Sequence, residues 1–288
     1  NSIAIELPSW QITDPFNGRE HLNQGLLRTP LSPEIAFSED PLRMLRAARF
    51  ISRYQLAPDR EVEEAIIEIA PRLAIVSKER INDEMTKFLL VDKPGAGISF
   101  LQRTGLLAQI FSISVDFQAI QPHALDLISC DLGMRWAALL WPITEEVGQT
   151  RAVLNQLKVP KTVISQVVGI LTATQHLADA IDVQPSAIRR LLHQTRPNTV
   201  QAAAVLEAYR QTPSDELSSA IRQLEAEEGG EDFVVPLDGF EVAELIEQQG
   251  PAVGVMLSRL MEYRLDFGPI SKQEAINLVL NWKIREEG

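Results

Sequence analysis

The distribution of apolar and polar positions predicts a chain that is almost entirely helical. From residue 34 onward, apolar residues recur every three or four positions, which is the spacing of helices with one buried face. Prolines and glycines divide this pattern into segments. The predicted helices cover residues 34–56, 60–70, 78–91, 95–104, 122–141, 144–157, 161–180, 185–195, 199–210, 214–228, 239–249, 252–266 and 271–285.

The first thirty residues predict short strands instead. Apolar residues alternate with polar or small ones over Ser2–Leu7, and residues 11–13 and 26–29 are candidate partner strands. Between them, Asp14–Gly18 has the composition of a tight turn, with a proline and an Asn-Gly pair. These few strands cannot make an independent sheet, so we interpret them as the remnant of a larger domain that the sequence enters partway.

The stretch Ser38–Tyr54 combines a predicted helix start with a stripe of arginines. Asp40 can cap the first turn, and Pro41 is well suited to it. At about 100° per residue, four arginines fall on one side of this helix and an apolar packing face falls on the other. The stripe contains Arg43, Arg46, Arg49 and Arg53, and the packing face contains Met44, Ala47, Ala48, Ile51 and Tyr54. Planar guanidinium groups favour recognition of phosphates or base edges, and the plain alternative is a solvated basic face.

Charge restricts where a polyanion could bind. The 288 residues carry a net charge of −12, which argues against a generic nucleic-acid binder held by an overall positive field. Residues 1–110 have a net charge of −2 and residues 111–288 a net charge of −10. We therefore expect a nucleic acid to be held locally by the first third of the chain. Later contacts would use a few basic residues, namely Arg189, Arg190 and Arg196.

Several kinds of chemistry are excluded or disfavoured. The single cysteine, Cys130, allows no internal disulfide, and we interpret it as a small packing residue within a helix. No metal site is predicted, because the sequence has no D-x-D or H-E-x-x-H pattern and its histidines are scattered. These are His21, His123, His176 and His193. Without a signal peptide or an apolar run long enough to span a bilayer, the sequence predicts a cytoplasmic protein with no membrane partner.

The segment EDPLRMLRAARF, residues 39–50, resembles the signature of class II tRNA nucleotidyltransferases and bacterial poly(A) polymerases. Residues 14–22 resemble the connector of this family, and residues 71–90 resemble its neck segment with the pattern S-x-E-R-I-x-x-E. Glycines and prolines near residues 250–270 are similar to its tail pattern. The resemblance is strong over residues 1–111, weak over 112–235 and moderate over 236–288.

The resemblance implies a mostly α fold, an elongated array of neck, body and tail helices with a small β remnant of the nucleotidyltransferase head. Residues 1–30 would be the remnant of the head and the connector, and residues 31–111 the neck. Residues 112–228 would form a helical body with a degenerate HD-like region, and residues 233–288 a helical tail. The acidic, Gly-rich run Glu225–Asp232 is the expected linker before that tail.

The resemblance also implies the site. In the family, the Asp and the first Arg of the signature pair with the Watson–Crick edge of the incoming nucleotide, which assigns Asp40 and Arg43 to this template. The substrates would be CTP and ATP, and the partner would be tRNA. Arg46 and Arg49 would bind the triphosphate or support the template. Glu39 would brace the arginines, and Arg80 would be a further supporting residue.

Departures from the family pattern restrict the expected activity. The carboxylates that hold Mg²⁺ in the family lie upstream in the head domain, and Asn1 with Ser2 resembles only the end of the last head motif. Phosphoryl transfer to a 3′-hydroxyl needs such metal ions, so the chain alone is expected to have no catalytic residues and no activity. Asn17 and His21 replace the usual Gly and Asp of the connector, which weighs against a hinge or nucleotide-switch role there. Trp141–Ile143 replaces the phosphohydrolase box of many relatives, so no hydrolase activity is expected.

Three interpretations stay open from the sequence. The first is tRNA 3′-end nucleotidyl transfer, with the head domain missing or separately encoded, and with CCA, CC, A or poly(A) as the product. The second is a non-catalytic helical module that binds RNA or nucleotides. The third is an all-α scaffold whose arginine stripe is only solvated or forms ion pairs with the acidic C-terminal part of the chain.

Overall fold

The computed structural model describes residues 3–180, 182–210, 215–228 and 233–287. These residues form a mostly α fold with seventeen α-helices and four two-residue strands, which confirms the predicted fold class. The chain divides into two compact units. The first contains residues 1–172 and 204–209, and the second contains residues 173–203 and 210–288. No described helix has the length and apolar character that a membrane span requires.

The first unit begins with two small pairs of strands. Strand β1 (Ala4–Ile5) pairs antiparallel with β2 (Ile12–Thr13), as predicted, and Asn1 and Ser2 lie outside the described residues. Strand β3 (Leu26–Leu27) pairs in parallel with β4 (Ala57–Pro58). The expectation that residues 26–29 pair with the first strand is therefore wrong. Strand β4 lies in the part of the chain predicted to be helical, because a dipeptide is too short to produce an alternating pattern.

The predicted turn at Asp14–Gly18 leads into a short helix, α1 (Gly18–Asn23). The carboxylate of Asp14 accepts the backbone N–H groups of Gly18 and Arg19, each at 2.8 Å, and these hydrogen bonds, above all that from Arg19, lower the pKa of Asp14. Asn17 has φ 56°, the positive value that an asparagine tolerates at such a position. The turn is therefore held by the chemistry that the sequence predicts.

The predicted helix 34–56 is two helices, α2 (Pro33–Glu39) and α3 (Leu42–Tyr54). The break lies at Asp40, whose backbone is extended (φ −143°, ψ 94°), because a residue before proline avoids the helical region. The N-cap residue of α3 is Pro41 and not Asp40, although Asp40 Oδ1 accepts the N–H of Leu42, the first residue of the helix, at 3.4 Å. A site residue thus lies at a bend between two helices.

The rest of the neck-like segment follows the predicted pattern with small differences. It contains α4 (Arg60–Ile69), a 3-10 helix (Ala70–Ile75), α5 (Lys78–Leu89), α6 (Gly95–Arg103) and α7 (Leu106–Phe111), of which α7 was not predicted. Ser77 caps α5 through a hydrogen bond from the N–H of Arg80 to its Oγ at 3.4 Å. Gly105 follows the end of α6 with φ 72°, a left-handed conformation that glycine commonly supplies just after a helix.

Helix α3 packs into the core of the first unit through its apolar face. Met44, Ala47, Ala48 and Ile51 are buried as predicted, whereas Tyr54 is 56% exposed and does not belong to this face. Tyr54 is the last residue of α3, directly before the left-handed Gln55. Helix α6 approaches α3 closely at a glycine. A Cβ atom at that glycine, Gly97, would lie 2.5 Å from the carbonyl oxygen of Ala48 and 2.5 Å from the Phe88 ring.

The remaining helices of the first unit are α8 (Pro122–Leu127), α9 (Leu132–Leu140), α10 (Val147–Gln156) and most of α11 (Lys161–Asp179). The predicted helix 122–141 is therefore broken, because Asp131 caps α9 through a hydrogen bond from the Met134 N–H at 2.9 Å. The interpretation of Cys130 as a helical packing residue is wrong. Cys130 lies in this break, is exposed, and contacts the Leu90 carbonyl oxygen at 3.2 Å.

The second unit is helical and contains α12 (Pro185–Thr195), α14 (Asp215–Glu228), α15 (Gly239–Ile246), α16 (Pro251–Phe267) and α17 (Lys272–Glu287). Helix α13 (Thr199–Arg210) belongs partly to each unit. One apolar cluster joins α15, α16 and α17, and another joins α12, α14 and α16. The expected linker at residues 225–232 is helical up to Glu228, and residues 229–232 lie outside the described residues.

The arginines expected to contact RNA in this part of the chain form intramolecular ion pairs. Arg189 donates from Nε to Glu228 at 2.6 Å, and the same carboxylate accepts Arg264 Nη2 at 2.7 Å. Arg190 pairs with Glu262 and Asp266, and Arg196 pairs with Glu225. Burial alone would raise the pKa of Glu228, but its two arginine hydrogen bonds outweigh burial and lower it. These arginines therefore stabilise the second unit, so the structure does not support their expected use as RNA contacts.

Candidate functional site

A cavity of about 540 Å³ lies beside the bend between α2 and α3. Its walls come from both helices, from the segment after β3 and from the turn before α1. Three of the residues predicted from the sequence, Glu39, Arg43 and Arg46, contribute to its lining. The other lining residues are Phe16, Leu27, Arg28, Thr29, Pro30, Leu31, Ala36, Phe37, Ala47, Phe50 and Val62. The cavity thus combines guanidinium groups with aromatic and aliphatic walls.

Arg43 is held by the end of the preceding helix. Its Nη1 donates to the carbonyl oxygen of Ala36 at 3.0 Å and to Glu39 Oε2 at 3.2 Å. The side chains of Arg43 and Glu39 are 43% and 54% exposed, so the ion pair stabilises the fold only slightly. Within the described part of the chain, Nε and Nη2 of Arg43 have no hydrogen-bond partner. These donors can therefore meet a ligand in the cavity.

Asp40 is held from the opposite side by a residue forty positions later in the chain. Its Oδ1 accepts Arg80 Nη2 at 3.1 Å as well as the N–H of Leu42. The backbone next to it is also held, because Arg72 Nη2 donates to the Ser38 carbonyl oxygen at 3.3 Å. No described residue donates to Asp40 Oδ2, so this acceptor is available. Asp40 borders the bend but is not among the residues that line the cavity.

Arg46 and Arg49 have different surroundings. Arg46 lines the cavity, is partly exposed, and has no ion-pair partner among residues that the structure describes. Arg49 does not line it. Its Nε donates to Glu84 Oε1 at 2.5 Å, and the two side chains are only 15% and 5% exposed. The geometry therefore leaves Arg46 as a cation that a phosphate could reach, whereas Arg49 is held in a largely buried ion pair.

Phe50, Phe16 and Arg28 also line the cavity and were not identified as site residues from the sequence. Phe50 lies seven positions after Arg43, so both residues occupy nearly the same helical face, and this spacing could have predicted it. Phe16 and Arg28 come from the connector, which packs beside α3 only in the tertiary structure. Arg28 is tied to Asp59 at the start of α4, and its hydrogen bond lowers the pKa of Asp59. No local pattern in the sequence predicts that these two residues meet α3.

The described residues also limit what the site can do chemically. Among them, no group of three or more His, Cys, Asp or Glu side chains is arranged to hold a metal ion. The cavity instead offers the held donor Arg43 and the cation Arg46, and the held acceptor Asp40 lies at the bend beside it. This arrangement suits recognition of a polar, planar ligand that carries phosphate.

Comparison with known proteins agrees with this description. A family model described as "Probable RNA and SrmB- binding site of polymerase A" matches residues 55–114. The CCA-adding enzyme of Geobacillus stearothermophilus is 36% identical over 177 residues, which are 60% of this chain and 43% of that protein. The CC-adding tRNA nucleotidyltransferase of Halalkalibacterium halodurans is 34% identical over 120 residues, 42% of this chain and 32% of that protein. The chain thus spans less than half the length of these relatives.

A solved structure extends the similarity over nearly all of the chain. The crystal structure of the Bacillus stearothermophilus CCA-adding enzyme in complex with CTP superposes with a TM-score of 0.79 at 26% identity. The superposition covers 99% of this chain and 72% of that one. The similarity therefore includes the segments 112–235 and 236–288, where the sequence resemblance alone is weak or moderate.

Proposed function

We propose that the chain acts in tRNA 3′-end nucleotidyl transfer, because it belongs to the family of CCA-adding enzymes and bacterial poly(A) polymerases. It corresponds to the C-terminal portion of the members of this family. In this proposal it selects the nucleotide and holds the RNA, for CCA addition or for a partial CC- or A-adding variant. The observation that carries the proposal is the bend between α2 and α3. There, Asp40 and Arg43 are each held by another residue while one side of each stays available.

Nucleotide selection follows from the hydrogen-bonding pattern of the bases. Cytosine and adenine each present an exocyclic amine beside a ring-nitrogen acceptor, whereas uracil and guanine present a carbonyl beside a ring N–H. A carboxylate acceptor at Asp40 and guanidinium donors at Arg43 match the first pattern and oppose the second. A wrong base would cover these polar groups without pairing them, and a polar group left unpaired away from water costs about 1–3 kcal/mol.

Charge around the cavity fits a nucleoside triphosphate. Arg46 has no ion-pair partner among the described residues and lines the same cavity as Arg43, so we assign it to the phosphates. Glu39 keeps Arg43 oriented through its ion pair, and Arg80 does the same for Asp40. We assign Arg49 to support of α3, because its ion pair with Glu84 is largely buried.

RNA binding is assigned to the segment that matches the RNA-binding family model, residues 55–114. Several of its acidic side chains form ion pairs within the protein, including Glu63 with Arg103 and Glu84 with Arg49. Lys87 and Lys93 are exposed and have no partner in the described part of the chain, so they can reach phosphates. A tRNA partner is consistent with the relatives named above.

The transfer step itself is not assigned to this chain. Nucleotidyl transfer needs metal ions that activate the 3′-hydroxyl and neutralise the developing charge. The donor groups of the described residues do not fit a Mg²⁺ site, so we derive no step through the metal. We propose that a nucleotidyltransferase head, in the same polypeptide or another, supplies it. The 288-residue chain with tRNA, CTP, ATP and magnesium should then add no nucleotide, and robust addition would contradict this division of roles.

The central assignment is tested with a chimera that joins the N-terminal portion of the Geobacillus stearothermophilus relative to this chain. We expect Asp40→Ala and Arg43→Ala to abolish its preference for CTP and ATP over UTP and GTP, as measured by incorporation into tRNA. Glu64→Gln, at an exposed position of α4, is the matched control because neither Glu64 nor its ion-pair partner Arg60 lines the cavity. Unchanged selectivity in both alanine variants would refute the template assignment.

A further inference from the structure

Phe50 lies on the cavity wall close to two guanidinium groups. The Cζ atom of Arg49 is 4.9 Å from the centre of the Phe50 ring, and that of Arg46 is 5.8 Å away. Both distances are within the range of a cation–π contact. Phe16 contributes a second aromatic ring to the same cavity. An aromatic side chain that is only partly buried beside Arg43 can therefore present a ring to a ligand.

The Arg49 guanidinium is itself fixed from behind. Glu84 on α5 is 4% exposed, and its Oε1 accepts Arg49 Nε at 2.5 Å. Separating this pair would leave a buried carboxylate without its partner, which is strongly unfavourable. Arg49 therefore cannot turn into the cavity without a large cost. Its contact with Phe50 instead restricts how that ring can move.

We propose that Phe50 is the wall on which the nucleobase stacks, and that Glu84 is a positioning residue that acts on this ring through Arg49. The inference rests on the proposed function, since it takes the cavity to be the nucleotide site. Stacking uses the face of a base and leaves its Watson–Crick edge free, so it does not compete with hydrogen bonds from Arg43, which lines the same cavity, to that edge. Since every base has a π face, stacking strengthens binding without selecting among bases.

The chain contains a second Glu-Arg-Phe arrangement that serves as an internal comparison. Arg103 donates from Nε to Glu63 at 2.7 Å, and its Cζ lies 5.1 Å from the centre of the Phe100 ring. Phe100, however, is fully buried in the core and does not line the cavity. The two arrangements share their chemistry and differ in whether the ring reaches the nucleotide site, so Glu63→Gln is the matched control for Glu84→Gln.

The test is calorimetric titration of the full chain with CTP and with UTP. We expect Phe50→Leu to weaken binding of both nucleotides by about 5- to 100-fold, the usual value of one base–aromatic stack, with an unchanged ratio of their affinities. Phe50→Tyr keeps the ring and should bind like the unaltered chain. Glu84→Gln should weaken both nucleotides in the same direction, and Glu63→Gln should change neither.

A double variant separates positioning from simple loss of stability. If Glu84 acts through the ring, Glu84→Gln combined with Phe50→Leu should bind no more weakly than Phe50→Leu alone. If the losses of nucleotide affinity in the two single variants add in the double variant, the positioning role of Glu84 is overturned. Binding by Phe50→Leu that equals that of the unaltered chain would overturn the stacking role, even if Glu84→Gln fails to fold.

The outcomes also separate this inference from the proposed function. A preference for CTP over UTP without any effect of Phe50→Leu would overturn the inference alone. If Phe50→Leu weakens the binding of CTP and UTP equally and the unaltered chain does not prefer CTP over UTP, the inference is supported and base selection is overturned. Failure of the unaltered chain to bind either nucleotide would overturn both.

Discussion

Replacement of Arg80 by alanine tests whether Asp40 must be held in place to read a base. The Arg80–Asp40 contact is 3.1 Å long, and the two side chains are 54% and 28% exposed. Ion pairs with this exposure contribute about 0.2–1 kcal/mol to stability. We therefore expect Arg80→Ala to lower the unfolding temperature by no more than about 4 °C. The fold should survive the change almost unaltered.

Nucleotide selectivity should respond much more strongly. Without Arg80, the Asp40 carboxylate keeps only its long contact with the N–H of Leu42, so its orientation toward a base is no longer fixed. Loss of one well-aligned hydrogen bond costs about 1–3 kcal/mol. Because Glu39 still holds Arg43, half of the template persists, and we expect the lower part of this range. The ratio of the UTP and CTP dissociation constants should fall by about 5- to 10-fold.

The assay measures CTP and UTP binding by titration calorimetry and stability by thermal unfolding on the same samples. Arg80→Lys keeps one charge without the planar donor pair and should give an intermediate ratio. Arg60→Ala is the matched control, because Arg60 is 87% exposed and pairs only with Glu64 on its own helix. An unchanged ratio in Arg80→Ala would refute the reasoning. A loss of stability above about 2 kcal/mol would show instead that the contact serves the fold.

Three further predictions concern stability and RNA binding. Glu228→Gln should destabilise the second unit by about 3–5 kcal/mol at neutral pH, since it removes a largely buried carboxylate from its two arginines. The pKa of Glu228 in the folded protein lies below its usual 4.5. In urea unfolding at several pH values, the loss of stability in Glu228→Gln should therefore be complete above about pH 5 and should shrink as the pH falls through the folded pKa. In the same measurement, Gly97→Ala should lower the free energy of unfolding by about 1–3 kcal/mol, because the added Cβ has no room. Gly148→Ala, at an open helical position, should instead raise it by about 0.5–1 kcal/mol. Replacement of Lys87 and Lys93 by alanine should weaken tRNA binding. The slope of log K against log salt concentration should fall in magnitude by about 1 for each phosphate that a lysine no longer neutralises. An unchanged slope would show that neither lysine contacts the RNA.

The helical character and the arginine stripe could be predicted from the sequence because both depend on local periodicity. A helix repeats every 3.6 residues, so spacing alone shows which side chains share a face. The break at Asp40 was harder to identify, since the apolar pattern continues through it. Only the effect of Pro41 on the preceding residue decides that α2 and α3 are separate helices.

The partners of the stripe were decided by the tertiary structure. Arg49 meets Glu84 thirty-five positions away and Asp40 meets Arg80 forty positions away, and neither pairing has a local signature. Phe16 joins the cavity in the same manner, through packing of the connector. Periodicity specifies which face a side chain occupies, but the element that packs against that face follows from how all the helices bury their apolar surfaces together. For that reason the sequence by itself determined the composition of a helix face that carries arginines. Only the fold decided that Arg46 stays available to a ligand while Arg49 is held in a buried ion pair.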